Sequence, residues 1–216
     1  MRFGTEDPLV DSIVMSDDHR DTEVEQPEER PVLDPEARER RRRALALIRT
    51  FGDPSLRSKA LEVTRFDDAL AEEVRRMGQL MDDAIGLGLA ATQVGVMHRV
   101  IVYRVGSEAP FVAVVNPELE WSSQEQETAE EGCLSLPGVA VDVERPIHAR
   151  IRAQDEHGER ILIEASGLEA RVLQHEMDHL DGTLIIDRIP KDQRKEALRI
   201  LREGAETLEP RALAAR

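Results

Sequence analysis

The segment Gln174-His-Glu-Met-Asp-His-Leu-Asp-Gly182 contains the residues whose types and spacing most clearly indicate chemistry. His175 and His179 stand four positions apart, so on a helix they lie one turn apart on the same face. A lone histidine on such a face is usually a hydrogen-bonded core residue. With Glu176 the pair forms the His-Glu-x-x-His pattern, which places two imidazoles on a metal and a carboxylate beside its open position. The segment therefore predicts a divalent metal site.

A catalytic metal site typically has three protein ligands and one open position, so the two histidines need a third partner. No histidine follows Gly182, and the later glutamates fall in a charged C-terminal segment. The other histidines occupy tail, strand-edge or turn contexts: His19, His98, His148 and His157. The remaining candidate is the single cysteine, Cys133, which is flanked by Gly132 and by a turn at Pro137-Gly138. A single cysteine is more often a small buried hydrophobic residue, so both interpretations stay open at this point.

The helix that carries both histidines has its own start signals. Ser166 and Glu169 form a capping box, which predicts that the helix opens at Ser166. Leu168 and Val172 precede His175 by seven and three residues, so the histidine-bearing face is predicted to point inward. Two more residues of this segment fit either a solvent-facing carboxylate or a partner for a histidine N–H: Asp178 and Asp181.

Around this helix, the sequence predicts further helices and a group of antiparallel strands. Helices are expected at 36–49, at 66–84 with a capping pattern at Thr64 and Asp67, and at 191–208. Stretches rich in β-branched residues predict strands at 99–105 and 111–115, and a hairpin of 147–153 with 160–163 through the turn Asp155–Gly158. The strands do not alternate with helices, so the predicted fold class is α+β. Small antiparallel or mixed β-sheets are expected around a central metal-binding helix, with N-terminal helices and a C-terminal helix.

The composition excludes several classes of protein. The chain of 216 residues has a formal net charge of −15, which argues against a protein that binds DNA through a positive face. No apolar run approaches the ~20 residues of a membrane span, and a single cysteine cannot form an intramolecular disulfide. Residues 1–35 hold a local net charge of −8 and predict a disordered acidic extension. A catalytic domain at 36–190 and a C-terminal helix and tail at 191–216 are expected to follow.

Three segments occur in the order and approximate spacing of one family's signature motifs. Gly86–Gln93, Glu131–Ser135 and Gln174–Gly182 resemble the three motifs of the peptide deformylases. The resemblance runs from about Leu47 to Ile189, so the acidic extension lies outside it. Three motifs together are far more specific than any one of them.

The resemblance implies a role for each residue that matches a motif. One divalent metal, most often Fe²⁺ but also Zn²⁺, Ni²⁺ or Co²⁺, would be held by three ligands: Cys133, His175 and His179. Glu176 would be the general acid and base, and Gln93 and the backbone N–H of Leu134 would donate hydrogen bonds to the formyl oxygen. Gly88 would offer its backbone to the peptide, and a pocket would receive the methionine side chain. The substrate-binding residues expected on this basis are Leu87, Gly88, Glu131, Leu168 and Val172.

Three other positions are interpreted through the same resemblance. Arg145 matches a family arginine that pairs with Glu131 and steadies the cysteine-bearing segment. Ala129 and Arg171 stand where larger or plainly apolar residues can line the methionine pocket. These two positions bear on side-chain selectivity and not on the chemistry.

The implied activity is removal of the formyl group from the N-terminal N-formylmethionine of nascent polypeptides, with release of formate, in a bacterial-type cytoplasm. One alternative is a non-catalytic relative that keeps the metal site. A second is a metallopeptidase of the His-Glu-x-x-His kind, which is disfavoured because no further ligand follows downstream. Residues 191–216 carry seven bases against five acids, which is compatible with docking on the ribosome. An amphipathic helix that caps the domain through Ala197, Leu198 and Leu201 explains the same segment equally well.

Overall fold

A computed structural model of the chain describes residues 33–106 and 109–208. Over these residues, the chain forms four α-helices: α1 (Pro35–Leu45), α2 (Asp68–Ala84), α3 (Leu168–Leu180) and α4 (Lys191–Leu208). None of the described helices is long and apolar enough to cross a membrane. Most of the predicted acidic extension, 1–32, and the end of the predicted C-terminal tail, 209–216, lie outside the described residues.

The strands of the described chain form two antiparallel sheets. The seven strands are β1 (Gly88–Ala90), β2 (Val100–Tyr103), β3 (Val112–Ser122), β4 (Gln126–Gly132), β5 (Ala140–Pro146), β6 (His148–Gln154) and β7 (Arg160–Ser166). The larger sheet has the order β1-β2-β3-β6-β7, and the smaller one is the β4–β5 hairpin. Helices precede and follow the strands instead of alternating with them, so the predicted α+β fold class is confirmed.

The larger sheet packs against α2 on one face and α3 on the other. Side chains alternate between the two faces of a strand, so Val100 and Val102 pack with Met81 of α2, whereas Ile101 packs with Leu173 of α3. Each of these five side chains is almost completely buried, and burial of one such group contributes ~1.5–3 kcal/mol. This packing holds α3, which carries both histidines, rigidly against the sheet.

Both N-terminal helices differ from their predicted limits because of specific hydrogen bonds. α2 begins two residues later than predicted, since the Asp67 side chain accepts the Leu70 N–H at 3.3 Å and takes the N-cap position expected of Thr64. α1 ends four residues earlier than predicted, and the Arg49 N–H donates to the Gln93 carbonyl at 2.7 Å. That tertiary hydrogen bond directs the chain away from the helix axis.

The predicted hairpin is confirmed as β6 and β7, whose turn closes with a hydrogen bond from the Gly158 N–H to the Asp155 carbonyl at 3.1 Å. The strand predicted at 111–115 continues through Ser122, with irregular register against β6. The β4–β5 hairpin was not predicted. Its first strand has Ala129 as its single apolar residue, so no alternating pattern marks it in the sequence.

The predicted capping box of α3 is wrong, because the helix begins two residues after Ser166. Ser166 is the last residue of β7, and its Oγ lies 2.9 Å from His148 Nδ1 of the paired strand. Glu169 accepts a hydrogen bond from the Tyr103 hydroxyl at 2.8 Å instead of capping the helix. Gly167 occupies the N-cap with φ +56°, a left-handed value that favours glycine. Strand pairing therefore decides where this helix can start.

Candidate active site

Three side chains with metal-ligand chemistry converge beside α3: Cys133, His175 and His179. Their ligand atoms all lie within 4.8 Å of one another, and Cys133 Sγ is 3.2 Å from His179 Nε2. The histidines come from successive turns of α3, and Cys133 directly follows β4. In a tetrahedral site with metal–sulfur bonds of about 2.3 Å and metal–nitrogen bonds of about 2.0 Å, two such ligands lie about 3.5 Å apart. The three atoms are therefore close enough to bind one ion.

The pKa values of the two histidines are shifted in opposite directions. Burial lowers the pKa of His175, but its hydrogen bonds with Cys133 and Glu131 outweigh burial and hold that pKa well above the usual value. Burial and the charge of His175 hold the pKa of His179 well below its usual value. His175 therefore favours its protonated form and His179 its neutral form, and a metal ion would displace the proton from the ligand nitrogen of His175 on binding. A thiolate with two imidazoles suits Fe²⁺, Zn²⁺, Ni²⁺ and Co²⁺, so these residues fit the implied metal.

The buried Glu131 carboxylate orients His175. Its Oε2 lies 2.9 Å from His175 Nδ1, and Arg145 donates to the two carboxylate oxygens at 2.6 and 2.9 Å. Arg171 donates to Oε1 at 2.8 Å. Burial raises the pKa of Glu131, but the hydrogen bonds from His175 and Arg145 outweigh it and lower the pKa to about 2. An ionised Glu131 accepts from Nδ1 of His175, so Nε2 is the nitrogen of this ring that would act as a ligand once a metal displaced its proton.

Asp178 takes neither of the two roles weighed from the sequence, since it is buried and bonded to arginines. Arg145 Nη1 donates to it at 2.9 Å, and Arg188 Nε donates to it at 3.0 Å. Asp178 therefore helps to hold Arg145, which in turn holds Glu131. Asp181 is half-exposed and accepts a hydrogen bond from Arg99 at 2.8 Å.

Glu176 is buried next to the ligand cluster, at only 4% exposure. Its Oε2 atom has no hydrogen-bond partner among the described residues. Burial is the main cause that raises the pKa of Glu176 to about 7. The carboxyl group also lies close to β1, because a Cβ atom at Gly88 would come within 2.5 Å of Glu176 Oε1. Gly88 is thus the residue that makes room for the Glu176 side chain.

The Gln93 side chain is held in one orientation by its neighbours. Its Oε1 accepts the Ala90 N–H at 2.9 Å, so the Nε2 amide group points the other way. Nε2 lies 3.2 Å from Ser135 Oγ and 3.8 Å from Cys133 Sγ, at the edge of the ligand cluster. Within the described chain, the N–H of Leu134 donates to no backbone or side-chain acceptor. Both predicted donors therefore lie in or next to the segment that bears Cys133.

The residues expected to bind substrate occupy different environments. Leu87 is 48% exposed and Leu168 is 52% exposed, so both present apolar surface to solvent near the ends of β1 and α3. Val172 is buried in the core between α3 and the sheet. The prediction that Leu168 lies on an inward face is wrong, because it is the first residue of α3 and projects outward. Glu131, which was also expected to bind substrate, is hydrogen-bonded to side chains of the protein, including His175 and Arg145.

Two residues of the site have contacts that the sequence did not predict. Ser135 contacts the Gln93 amide, and a serine two residues after a cysteine carries no local signal of that contact. Arg171 was placed near the methionine pocket, but its guanidinium bonds to Glu131 and to two backbone carbonyls of the β4–β5 hairpin. A charged residue on the predicted inward face of a helix, one turn before a ligand, was the one available clue.

Together these features define a class of protein. A cluster of one thiol and two imidazoles lies beside a buried carboxyl group of raised pKa and an oriented carboxamide. These are the functional groups that a metal-dependent hydrolase needs in order to act on an amide bond.

Comparisons with known proteins identify the family within that class. The model of the family Polypeptide deformylase matches residues 45–195. A peptide deformylase of Thermotoga neapolitana is 49% identical over 147 residues, which are 68% of this chain and 88% of that protein. A peptide deformylase of Acidothermus cellulolyticus is 47% identical over 161 residues, 74% of this chain and 88% of the relative.

Solved structures agree with the sequence relatives. A Synechococcus elongatus peptide deformylase, solved in complex with actinonin, is 40% identical with a TM-score of 0.69, over 76% of this chain and 91% of that one. A Legionella pneumophila peptide deformylase has a TM-score of 0.70 at 36% identity, over 76% of this chain and 98% of that one. The chain belongs to the polypeptide deformylase family. The prediction of an enzyme that removes an N-terminal formyl group is confirmed, and the two alternatives are not favoured.

Proposed function

We propose that this deformylase binds one divalent metal through three ligands: Cys133, His175 and His179. The observation that carries this proposal is the convergence of the three ligand atoms within 4.8 Å of one another. A bound divalent metal supplies Lewis-acid chemistry and makes water nucleophilic near neutral pH. We assign Fe²⁺ to the site on the family resemblance. Zn²⁺ would bind more tightly at equilibrium, so the metal in the cell depends on supply.

In this proposal, Glu176 transfers a proton from the attacking water to the leaving nitrogen. Its carboxylate accepts a proton from the attacking water and delivers that proton to the nitrogen that leaves when the formyl C–N bond breaks. A pKa of about 7 suits both steps, because a group that titrates near the working pH can act as acid and as base. The unpartnered Oε2 atom can bind water or substrate without breaking a hydrogen bond within the described chain.

Gln93 and the backbone of Leu134 stabilise the formyl oxygen as it becomes negatively charged. The Gln93 Nε2 group is oriented before substrate arrives, because Ala90 holds the carboxamide by its oxygen. Donors fixed in this way need no reorganisation during the reaction, and each is typically worth ~3–4 kcal/mol.

The nascent peptide has an edge strand to pair with. Among the described strands, β1 lies at the edge of the larger sheet and pairs with β2 on one side, so its other side is the proposed place for an extended peptide. Gly88 lies at its start, against Glu176, and in this proposal the peptide runs along this edge in the direction that brings its formylated N terminus to the carboxyl group. The exposed Leu87 and Leu168 are the proposed apolar contacts of the methionine side chain, with Val172 behind them.

Formate release tests the proposed function. Protein loaded anaerobically with Fe²⁺ or Ni²⁺ is expected to release formate from a formyl-Met peptide, and removal of the metal by a chelator should abolish this release. Metal should also raise the melting temperature, because an ion at a thousandfold excess over its Kd adds about 4 kcal/mol of stability. Cys133→Ser is the matched variant, for which metal should leave the melting temperature unchanged. Formate release by the chelated protein at the wild-type rate would contradict the proposal.

Substitution of Gly88 is expected to displace the proposed acid–base residue. A methyl group at this position would lie 2.5 Å from Glu176 Oε1, so the carboxyl group must move. Gly88→Ala should therefore lower kcat about 10²-fold, since a shift of about 1 Å in a catalytic group has that effect. The control is Gly204→Ala, where an added Cβ meets no atom of the described residues within 4 Å. Equal kcat values for Gly88→Ala and the wild type would contradict the proposal that the space at Gly88 sets the position of the Glu176 carboxyl group.

We further propose that the enzyme works in the cytoplasm and that α4 docks on the ribosome, where formylated chains emerge. Ala197 and Leu201 face the core, which leaves the polar side of α4 outward. Within the described chain, Arg194 and Arg199 form ion pairs, whereas Lys191, Lys195 and Arg202 are cations without one. Phosphates of ribosomal RNA suit such cations.

A charge reversal in α4 tests docking on the ribosome. Lys195→Glu combined with Arg202→Glu should reduce co-sedimentation with ribosomes severalfold at low salt, while formate release from a short peptide stays unchanged. Arg75→Glu combined with Arg76→Glu, on the exposed side of α2, provides a control with the same change in charge. Unchanged co-sedimentation of the α4 variant would contradict docking through this helix.

A further inference from the structure

Arg171 is a buried arginine on α3, one turn before His175, and its guanidinium contacts the β4–β5 hairpin at three places. Nη1 donates to Glu131 Oε1 and to the Val143 carbonyl, both at 2.8 Å, and Nη2 donates to the Glu127 carbonyl at 2.7 Å. We propose that Arg171 is a positioning residue that sets the distance between the cysteine ligand and the histidine ligands. The inference rests on the proposed metal site and deepens it.

The ligands come from two separate parts of the fold, so their spacing depends on what joins those parts. Cys133 follows β4, whereas both histidines lie on α3. The acceptors of Arg171 lie on both strands of the hairpin, since Glu127 and Glu131 belong to β4 and Val143 belongs to β5. One rigid, planar guanidinium thus joins both strands of the hairpin to the helix that carries the histidines.

One other contact between α3 and the hairpin uses a backbone carbonyl, since Gln174 Nε2 donates to the carbonyl of Pro146, the last residue of β5, at 3.0 Å. Two further polar contacts between these described elements join side chains. His175 reaches Glu131 at 2.9 Å, and Arg145 of β5 reaches Asp178 of α3 at 2.9 Å. The ion pair between Arg145 and Glu131 joins the two strands of the hairpin, so this pair does not fix the position of the hairpin against α3. Arg171 differs because its two backbone acceptors lie one on each strand, so it holds both β4 and β5 against α3, whereas Gln174 reaches only the end of β5.

Ala129 explains how the guanidinium fits between the helix and the hairpin. Side chains alternate along a strand, so Glu127, Ala129 and Glu131 of β4 share one face. Ala129 pairs with Val143, whose carbonyl accepts from Arg171. The small side chain at this point leaves space for the arginine. Ala129 and Arg171, the two positions that the resemblance linked to the methionine pocket, thus both lie at the contact between α3 and the hairpin.

Metal affinity of the metal-free protein is the measurement that separates positioning from a general effect on folding. Arg171→Met keeps a long apolar side chain and removes every donor, and it is expected to weaken Co²⁺ or Zn²⁺ binding about 10–100-fold in chelator competition. The absorption spectrum of the fully loaded Co²⁺ protein should also change, because it reports the ligand geometry at the ion. The control is Arg99→Met, which removes a mostly buried arginine that joins Asp181 to the Pro117 carbonyl away from Glu131. The control should keep its metal affinity within about twofold of wild type.

A second variant keeps the test informative if Arg171→Met does not fold. Arg171→Lys retains the charge beside Glu131, but one ammonium group cannot reproduce the planar fork, so an intermediate affinity is expected. Wild-type affinity and an unchanged Co²⁺ spectrum in a folded Arg171 variant would overturn this inference and leave the proposed function intact. If the wild-type protein itself bound no metal, the proposed function would fail instead.

Discussion

Replacement of Glu176 by glutamine is expected to lower kcat for deformylation by about 10²–10⁴-fold, the usual contribution of a positioned acid–base group. Glutamine has nearly the same shape but can neither accept the proton of water nor pass it to the leaving nitrogen. The metal should stay bound, because the proposed ligands are unchanged. Formate release and metal content of the same preparation provide the measurement.

The matched control for this variant is Glu164→Gln, which changes an exposed carboxylate on β7 that pairs with Arg150. Its kcat should equal that of the wild type. Formate release by Glu176→Gln at the wild-type rate would contradict the assigned role. A loss of activity together with the metal would instead show that Glu176 supports the metal site.

The same variant should change how the stability of the metal-free protein depends on pH. Burial raises the pKa of Glu176 from 4.5 to about 7, so its ionised form is disfavoured in the folded protein. The wild type therefore loses stability as the pH rises through this range. Glutamine never ionises, so Glu176→Gln should gain stability relative to the wild type between about pH 5 and pH 7 in urea unfolding.

Removal of Arg145 is expected to have the largest effect on stability. Arg145 is buried and donates to both Glu131 and Asp178, so Arg145→Met leaves two buried carboxylates without that cation. Breaking a buried ion pair by removing one partner typically costs about 3–5 kcal/mol. Urea unfolding of the metal-free protein measures the loss. Arg150→Met, which breaks an exposed pair with Glu164, should cost no more than ~1 kcal/mol.

The pH dependence of this loss identifies its cause. The pKa of Glu131 is lowered from 4.5 to about 2, so the stability contributed by its ionised form is fully present above pH 4.5 and is lost as the pH falls toward 2. The difference between the wild type and Arg145→Met should shrink over that range. A difference that stays constant down to pH 2 would show that Arg145 stabilises the fold through packing alone.

The features that the sequence predicted well depend on residues close together in the chain. His175 and His179 share a face because of helical periodicity, and the β6–β7 hairpin follows from its turn. The features it missed depend on contacts between distant residues. β4 is polar and is held by its pairing with β5, and α3 starts after Gly167 because Ser166 remains paired in β7. No local pattern contains that information.

The sequence by itself determined the chemical types of the proposed ligands, the acid–base carboxyl group and the family, because short motifs and helix periodicity specify them. Only the tertiary structure brought Cys133 to within 3.2 Å of His179, since the two residues lie on different elements. It also showed that Arg171 faces the hairpin through hydrogen bonds to Glu131 and to backbone carbonyls. The physical reason is that a buried charge must find its partners across the packed core, and those partners are set by the fold and not by the neighbouring sequence.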